Sequence, residues 1–584
     1  MDKREVAAVL EEIGVLLDLK GENPFRVRAY ANAARIIDTL QQDLGALVAE
    51  DRLTEIKGIG KDLAAKIVEL MTTGKLAFHE ELKASLPASL LEMLRIPGFG
   101  PKKTKAVYEK LKVDSMEKLE AACKAGKVAE LDGFGEKSQQ KILEGIQMVR
   151  QFASRHHFHT AYAAAMPVLE ALREHPGVIR CSVAGSLRRC RETIGDVDFL
   201  VSAKPVDAPD IIEMFATLPG IISVSAKGET KASVVLKGGL QVDLRVVADE
   251  QFAFALNYFT GSKEHNIAMR ARALRLKKLS LNEYGFSPAE EKEKSAKELG
   301  SVIACREESD IYRALDLEYV PPELREDMGE IEAAEAGTLP RLIEKENLRG
   351  TFHIHSLWSD GIESIETMAQ TALDLGLEYV GLADHSKTQR QANGLDETRV
   401  REQAEEVKKL NAKFAKEGFQ IFHGIEVDIM PDGSLDFDDE TLGIFDFVIA
   451  AVHGQFTMPA EAMTKRICTA LAHPLVTMLA HPTGRLLLER EAYAVNMEAV
   501  VEAAARHKKI IEINAHPYRL DMDWRLWKRA KELGVRCSIN PDAHCIPDFQ
   551  YLGIGVGIAR KGWLTKRDVV NCLPLNEVEK ALRK

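Results

Sequence analysis

Three carboxylates in the middle of the chain have the spacing of a metal-dependent phosphoryl-transfer site. Asp196 and Asp198 stand two residues apart in the apolar run DVDFLVS, and Asp243 occupies a second such run, LQVDLRVV. In a strand, residues two apart point to one face, where carboxylates repel one another unless cations neutralise them. Two Mg²⁺ or Mn²⁺ ions would do so, lowering the pKa of an attacking hydroxyl and stabilising charge on the transferred phosphate. We therefore predict that these three aspartates are catalytic metal ligands.

A glycine and a serine precede the carboxylates at a predicted strand-to-helix turn. The backbone of Gly185 and the hydroxyl of Ser186 can donate hydrogen bonds to a triphosphate, and Arg189 adds a fork of N–H groups suited to phosphate oxygens. A surface turn beside an ordinary acidic strand end is the alternative interpretation. The pattern resembles the polymerase β-like nucleotidyltransferases, a group that includes enzymes acting on small molecules.

Histidine is concentrated in the last part of the chain, where ten of the sixteen histidines follow residue 350. Seven apolar, strand-like runs alternate there with amphipathic helical stretches, which predicts a parallel, TIM-like barrel. The candidate metal ligands follow these runs and would meet at the C-terminal mouth of the barrel: His353, His355, Asp360, Asp384, His385, Glu426, His453, His481, Asp542 and His544. Imidazole-rich sites favour Zn²⁺, Mn²⁺ or iron, and a carboxylate such as Glu426 can bridge ions.

Other histidines of this region do not share the pattern. A single histidine at a strand end is usually capped or solvated, and only the recurrence at successive strands argues for a metal centre. We therefore expect structural or surface roles for His423, His473, His507 and His516.

Three related turns occur in the first 150 residues: IKGIGKDLAAKI (56–67), IPGFGPKKTKAV (96–107) and LDGFGEKSQQKI (131–142). Glycine lets the backbone approach a phosphate closely, and the helix that follows offers unpaired N–H groups and a lysine. The turns resemble helix-hairpin-helix motifs, although a tight helix-helix turn without a ligand is the alternative. We expect sequence-independent binding of the DNA backbone by Gly58, Gly60, Lys61, Gly98, Gly100, Lys102, Gly133, Gly135 and Lys137.

Composition is typical of a globular protein of several domains. The 584 residues carry a formal net charge of −11, which does not exclude a nucleic-acid partner because local basic patches decide such binding. Eight cysteines show no C-x-x-C spacing, which is typical of reduced thiols. The charged, amphipathic N-terminus does not resemble a signal peptide, and no apolar run is long enough to span a membrane. We expect a soluble, cytoplasmic protein.

The segment YFTGSKEHNIAMRARA (258–273) distinguishes a polymerase from the nucleotidyltransferases that act on small molecules. It resembles the thumb of family X DNA polymerases. In that family the aromatic pair borders the incoming sugar and disfavours a 2′-hydroxyl, the asparagine approaches the nascent base pair, and the arginine reaches the template minor groove. The resemblance thus implies nucleotide-binding roles for Tyr258, Phe259, Gly261, Asn266 and Arg270.

The first hairpin, residues 56–70, also resembles the lyase domain of family X polymerases. Lys66 occupies the position of the lysine that forms a Schiff base with an abasic sugar, a role that requires a neutral, nucleophilic amine. Asp62, however, stands where animal relatives carry a phosphate-binding lysine. A solvated helix lysine is therefore the alternative role for Lys66.

The histidine-rich region resembles the polymerase and histidinol phosphatase (PHP) domain. This resemblance implies a centre of up to three ions, Zn²⁺ or Mn²⁺ or both, with nine ligands: His353, His355, Asp360, His385, Glu426, His453, His481, Asp542 and His544. Arg485 and Arg519 could fork onto a DNA phosphate, or form salt bridges at the barrel rim.

Over essentially its whole length the chain resembles the bacterial family X DNA polymerases with a PHP domain. The resemblance implies a monomeric repair polymerase that takes gapped or primed DNA and deoxynucleoside triphosphates, with 3′–5′ exonuclease and AP endonuclease activity in the PHP domain. The expected regions are a lyase-like domain (1–85), fingers (86–150), palm (151–250), thumb (251–326), linker (327–349) and PHP barrel (350–584). The alternatives are a small-molecule phosphoesterase with a DNA-binding scaffold and a non-catalytic organiser of repair complexes.

Overall fold

The computed structural model describes residues 3–38, 40, 44–87, 89–289 and 300–582. The chain divides into two compact units, Met1–Ser154 and Arg155–Lys584. Within the described ranges, no helix is both long and apolar enough to cross a membrane. The boundary between the units falls within a few residues of the expected boundary between fingers and palm, and the finer six-part division stays a prediction.

The first unit is helical. Its amphipathic helices bury their apolar faces in two clusters, one around Leu10, Ile37 and Ile67 and one around Phe99 and Leu119. The helices are Lys3–Lys20, Pro24–Asp38, Leu44–Ala49, Lys61–Thr73, Ala77–Ala84, Ser89–Met93, Pro101–Leu111, Met116–Lys124 and Glu136–Ala153. The expected all-helical region with short loops is confirmed.

A mixed five-stranded sheet opens the second unit. In spatial order its strands are Val178–Val183, Asp196–Ala203, Gln241–Val247, Lys231–Leu236 and Ile221–Lys227. The second and third of these strands are parallel and place Asp198 directly opposite Asp243. The helices Phe158–Glu174 and Ala208–Ala216 pack against the sheet around the buried side chains of Leu169, Phe199 and Phe215. This sheet therefore fixes the spacing of the carboxylates.

The region after the sheet is built on a cluster that includes Phe254, Phe286 and Tyr312. Its elements are the helices Phe252–Thr260, Lys263–Arg272, Glu308–Ala314 and Glu330–Ala336, a π-helical turn Ala273–Lys277 and a hairpin of Leu279–Asn282 and Gly285–Pro288. The last helix belongs to the segment expected to be a linker, and its Ile331 and Ala334 are buried in the same cluster. The segment is thus packed against the thumb.

Seven parallel strands form the last region: Gly350–Ile354, Tyr379–Leu382, Gln420–Phe422 continued by Gly424–Asp428, Phe447–Ala451, Met478–Leu479, Ile510–Asn514 and Cys537–Asn540. A bridge between Ile354 and Ala543 joins the first strand to the last, so the sheet closes into a barrel. The surrounding helices are Ile365–Asp374, Glu397–Phe414, Asp439–Leu442, Ala460–Ala472, Met497–Arg506, Trp527–Glu532, Tyr551–Lys561 and Leu575–Leu582. The predicted (β/α)₇ barrel is confirmed.

A buried lysine joins the barrel to the sheet region. The amine of Lys561, which is fully buried, donates to the carbonyl of Arg189 at 3.0 Å and to the carboxylate of Glu326. Glu326 in turn accepts from Arg189 at 3.1 Å and from Arg191 at 3.3 Å. Because a buried charge is tolerated only when it is paired and hydrogen-bonded, this network holds the two regions in one compact unit.

Close packing inside the barrel leads to a test of the fold. Gly381 lies in the strand Tyr379–Leu382, and a Cβ on it would overlap the rings of Phe352 and Phe447. We expect Gly381→Ala to lower the free energy of unfolding by about 1–3 kcal/mol, since overpacking displaces buried rings. Urea denaturation can be followed by tryptophan fluorescence because all four tryptophans lie after residue 350.

The matched control for this substitution is Gly553→Ala. Gly553 lies in the helix Tyr551–Lys561, and a Cβ there would meet nothing within 4 Å. This variant should be as stable as the parent or more stable by up to ~1 kcal/mol, because alanine favours a helix. Equal stability of the two variants would contradict the described barrel packing.

Candidate functional site

The three aspartates of the sheet lie together at one end of two neighbouring strands. Asp196 is exposed at the start of its strand, whereas Asp198 and Asp243 are partly buried and paired in register. Burial, followed by the charges of Asp196 and Asp243, raises the pKa of Asp198 to about 7. Such crowding of carboxylates is what a divalent cation relieves, so the donor set fits the predicted metal site.

The glycine-serine turn packs directly against this carboxylate cluster. Gly185 has a φ of +62°, and a Cβ on it would overlap the Asp198 carboxylate, so the position requires glycine. Arg189, expected to bind the triphosphate, donates to Glu326 at 3.1 Å and to the carbonyl of Thr260. The guanidinium of Arg189 thus links the turn to the thumb, and its role toward a nucleotide stays a prediction.

The thumb residues lie beside the same turn. The rings of Tyr258 and Phe259 are 5.2 Å apart in an edge-to-face arrangement, and Asn266 donates to the Tyr258 carbonyl at 2.7 Å. Gly261 has a φ of +69°, and its Cα approaches Arg189 so closely that a Cβ would lie 3.1 Å from the guanidinium. Arg270 is exposed and lies near the end of the next helix, Lys263–Arg272. The structure therefore brings Gly185, Arg189 and Gly261 together beside Asp198, and the nucleotide-binding roles stay a prediction.

The three hairpins of the first unit share a first glycine with a positive φ. The first glycine of each, Gly58, Gly98 and Gly133, has a φ of +100°, +72° and +82° respectively. The second glycine of each immediately precedes a helix and has no side chain with which to cap it. Lys61, Lys102 and Lys137 are exposed on the first turns of these helices. Open N–H groups beside lysines suit a phosphate backbone.

The proposed lyase lysine has a carboxylate partner. The amine of Lys66 forms an ion pair with Asp62 one helical turn earlier and lies 5.3 Å from the centre of the Phe78 ring. Both contacts suit a charged ammonium group that stabilises its own helix. This geometry favours the structural role for Lys66 over the nucleophilic one.

All nine expected ligands of the barrel lie at one mouth. They form four groups whose donor atoms are within 4.8 Å of one another: His355, Asp360, His385 and His544; His353, Glu426 and His481; His353, His355 and Asp542; and His385, Glu426 and His453. Glu426, almost fully buried, belongs to two of the groups. Overlapping groups of this kind suit adjacent ions that share carboxylate and imidazole ligands.

Unsatisfied nitrogen atoms support a metal centre at this mouth. Nε2 of His353, both ring nitrogens of His355 and Nδ1 of His385 are buried and make no hydrogen bond among the described residues. Glu426 is the carboxylate nearest to two of them, at 3.4 Å from Nε2 of His353 and 3.0 Å from Nδ1 of His385. A buried polar atom without a partner costs free energy, and a metal ion would satisfy each of these nitrogens. Burial and the neighbouring His544 lower the pKa of His355 to about 4, which leaves the imidazole in its metal-binding, neutral form.

Several supporting residues were not found from the sequence. Glu512 is fully buried and accepts from Nδ1 of His353 at 2.6 Å, and Asp428 lies 2.9 Å from Nδ1 of His453. Such carboxylates orient a ligating imidazole and raise its basicity. The signal was available, because Glu512 is a charged residue inside the apolar run IIEIN and Asp428 ends the run GIEVD.

Asp384, a candidate ligand from its place after a strand, takes a supporting role instead. It accepts hydrogen bonds from the Ser356 backbone at 2.8 Å and from Gln403 at 2.6 Å, and it belongs to none of the ligand groups within the described ranges. The ring of His423 lies 3.0 Å from the same Gln403, in agreement with the structural role expected for it.

The two rim arginines differ in their contacts. Arg485 donates to the carbonyls of Arg519 and Leu520 and to Asp523, so for this residue the structure shows the salt-bridge alternative. Arg519 lines the open cleft of about 360 Å³ above the ligands, with its Nε 3.5 Å from Asp542. Arg519 is therefore the arginine placed to contact a phosphate in the cleft.

Comparison with known proteins agrees with this architecture. Family models match a helix-hairpin-helix domain at residues 1–76, a SAM-like helix-hairpin-helix tandem at 90–148, a DNA polymerase beta thumb at 255–326 and a PHP domain at 351–516. The DNA polymerase/3′-5′ exonuclease PolX of Bacillus subtilis is 38% identical over 587 residues, which cover 100% of both chains. The chain belongs to the PolX family. Membership of this family, with the clustered histidines and carboxylates, establishes DNA binding and the use of divalent metal ions.

Two further relatives match parts of this chain. DNA polymerase lambda of Rattus norvegicus is 26% identical over 336 residues, 54% of this chain and 55% of the rat protein. A Thermoanaerobacter protein named "Probable phosphatase" is 30% identical over 165 residues, 26% of this chain and 65% of that protein. The chain thus has polymerase and phosphatase relatives.

The carboxylate support of His453 gives a test of the metal centre. We expect Asp428→Asn to weaken the binding of Mn²⁺ by about 10–100-fold, since the loss of such a partner typically has this effect. Titration of the metal-free protein in competition with a chelating dye measures the affinity. The matched control is Asp439→Asn, which alters a similar pair with His473, 3.1 Å apart, on the surface. Equal affinity in both variants would contradict the proposed support.

Proposed function

We propose that this chain is a DNA repair polymerase that fills short gaps by template-directed nucleotidyl transfer and removes 3′ nucleotides at its barrel. One observation carries the proposal: a single chain holds two separate donor clusters of different composition. Asp196, Asp198 and Asp243 offer oxygen ligands only, whereas the barrel offers six imidazoles with three carboxylates. The relative in Bacillus subtilis is named for both activities, polymerase and 3′-5′ exonuclease.

The aspartate cluster performs nucleotide addition. Its oxygen donors suit Mg²⁺ or Mn²⁺, which would supply charge to the triphosphate and favour ionisation of a primer 3′-hydroxyl. Asp198 and Asp243, paired across two strands, would hold the ions on one face of the sheet, where the primer 3′-hydroxyl and the triphosphate meet. The turn at Gly185 and Ser186 presents backbone and hydroxyl donors to the triphosphate. Tyr258 and Phe259 border the incoming sugar.

The barrel cluster performs nucleotide removal. Its imidazoles suit up to three Zn²⁺ or Mn²⁺ ions, which would polarise a phosphodiester and lower the pKa of an attacking water. Glu426 and Asp542 each lie close to several of the imidazoles and would share ions with them. Arg519 at the cleft contacts a phosphate oxygen. The same chemistry extends to cleavage beside an abasic site, which we include as AP endonuclease activity.

DNA is held without regard to sequence by the three hairpins, through the paired glycines and the exposed lysines Lys61, Lys102 and Lys137. The substrates are gapped or primed DNA and deoxynucleoside triphosphates, as expected in the cytoplasm of a bacterial cell. One chain supplies every member of each donor cluster, so we propose a monomer. The six-part division of the chain is part of the proposal, with the linker packed against the thumb.

The alternatives have less support. A small-molecule phosphoesterase accounts for the barrel and for the similarity to a protein named as a phosphatase, but it leaves the aspartate cluster and the hairpins without a role. A non-catalytic organiser of repair complexes has no use for the buried, unsatisfied imidazole nitrogens of the barrel. Lyase activity at Lys66 is not part of the proposed function, because Asp62 engages the amine.

A pair of substitutions separates the two activities. Asp243→Ala removes one oxygen donor of the aspartate cluster, and we expect it to lower primer extension by at least ~10³-fold while 3′ shortening continues, because the clusters are distinct. His355→Ala removes an imidazole shared by two ligand groups and should do the reverse. Both activities are read on one 5′-labelled primer.

His423→Ala is the control for the second substitution. His423 is a buried histidine of the same barrel that lies outside the ligand groups. It should leave both activities within a few fold of the parent after correction for the folded fraction. Loss of both activities in both cluster variants would contradict two independent sites.

A further inference from the structure

A second cavity adjoins the metal cleft of the barrel. Its volume is about 330 Å³, and it shares Arg519, Asp542 and His544 with the cleft. Two of these shared residues, Asp542 and His544, are expected metal ligands. A nucleotide whose phosphate lies at the ions can therefore extend its sugar and base into the second cavity. The cavity is large enough for one nucleobase with its sugar. Its other lining residues, Leu486, Glu489, His516 and Tyr518, are not expected metal ligands.

The far wall of this cavity is aromatic. Tyr518 is 37% exposed, and its ring stacks on that of His516 with centroids 5.4 Å apart and planes 29° apart. Leu486 adds an apolar side chain to the same wall. Exposed aromatic faces of this kind stack nucleobases in proteins that bind single strands, and they tolerate any base because every base has a π-face.

One residue of the expected palm, His157, holds this wall in place. The ring of His157 lies edge-on to Tyr518 at 4.3 Å, and its Nε2 donates to the Leu487 carbonyl at 2.7 Å. The N–H of Leu487 in turn donates to the carbonyl of Tyr518 at 2.6 Å. The polymerase part of the chain thus supports a wall of the nuclease site, and Tyr518 is fixed through both its ring and its backbone.

We propose that this cavity holds the unpaired 3′-terminal nucleobase of the strand being shortened, stacked on Tyr518, with its phosphate at the metal cleft. His157 acts as a positioning residue for Tyr518. The inference rests on the proposed exonuclease function and deepens it, because it gives the base of the excised nucleotide a binding surface of its own beside the metal cleft.

Two oligonucleotides that differ only in their last residue test the stacking. Both carry a 5′ label, and the terminal 3′ residue either bears a base or is an abasic analogue. The parent protein should remove the base-bearing residue ~10–100-fold more efficiently in kcat/KM, the range expected for loss of one base-aromatic stack. Tyr518→Ala should abolish this preference by slowing only the base-bearing substrate, and Tyr518→Trp should restore it.

Two further variants separate stacking from general damage. Tyr162→Ala removes another exposed tyrosine, 48% exposed against 37% for Tyr518, and should leave the preference unchanged. His157→Ala should reduce the preference, and His157→Gln, which can still donate to Leu487, should recover part of it. Equal slowing of both substrates by Tyr518→Ala, or no slowing of either, would overturn the stacking role. If the parent protein shortens neither oligonucleotide, the exonuclease function itself fails, and this inference fails with it.

Discussion

The carboxylate of Glu426 lies buried among imidazoles, and the histidine-rich mouth of the barrel is organised around it. One oxygen is 2.8 Å from His481 and 3.2 Å from His453, and the other is 3.0 Å from His385 and 3.4 Å from His353. Burial alone would raise the pKa of Glu426, but the charges of His453, His353 and His385 hold it well below its usual range. A buried carboxylate without charged or hydrogen-bonding partners would lower the stability of the fold. The partners of Glu426 come from other strand ends, so the barrel must bring together segments that are distant in sequence.

Buried carboxylates have different partners in the five-stranded sheet. There three carboxylates face one another without imidazoles, and the pKa of Asp198 rises to about 7, first because it is buried and then because Asp196 and Asp243 are close. A divalent cation relieves this repulsion without protonation of a carboxylate, and oxygen donors alone suit hard ions. The barrel, which balances carboxylates against imidazoles, suits softer ions. The two proposed metal sites of the chain thus differ in ligand type, while the buried amine of Lys561 connects the two regions that carry them.

Much of this arrangement could be predicted from the sequence, because its signals are local. Alternating apolar runs predicted the seven barrel strands, and parallel strands gather their C-terminal ends, so His353 and His481 could be placed at one mouth. The ion pair of Lys66 with Asp62 was also within reach, since residues four apart in a helix are neighbours.

Other features depend on contacts between distant segments. The Arg189–Glu326 pair joins residues 137 positions apart, and His157 reaches Leu487 across 330 positions. No periodicity in the sequence encodes such contacts. Asp384 shows a further limit, because a carboxylate after a strand can support a loop as readily as it binds an ion, and only its hydrogen-bond partners distinguish the two roles.

The most direct test of two opposed activities in one chain is a 5′-labelled primer annealed to a gapped template, incubated with the protein and Mn²⁺. With all four deoxynucleoside triphosphates the primer should lengthen to the end of the gap, and without them it should shorten from its 3′ end. Both changes should stop when a chelator removes the metal. A primer whose length stays the same in both conditions, or changes equally in the presence of chelator, would contradict the account.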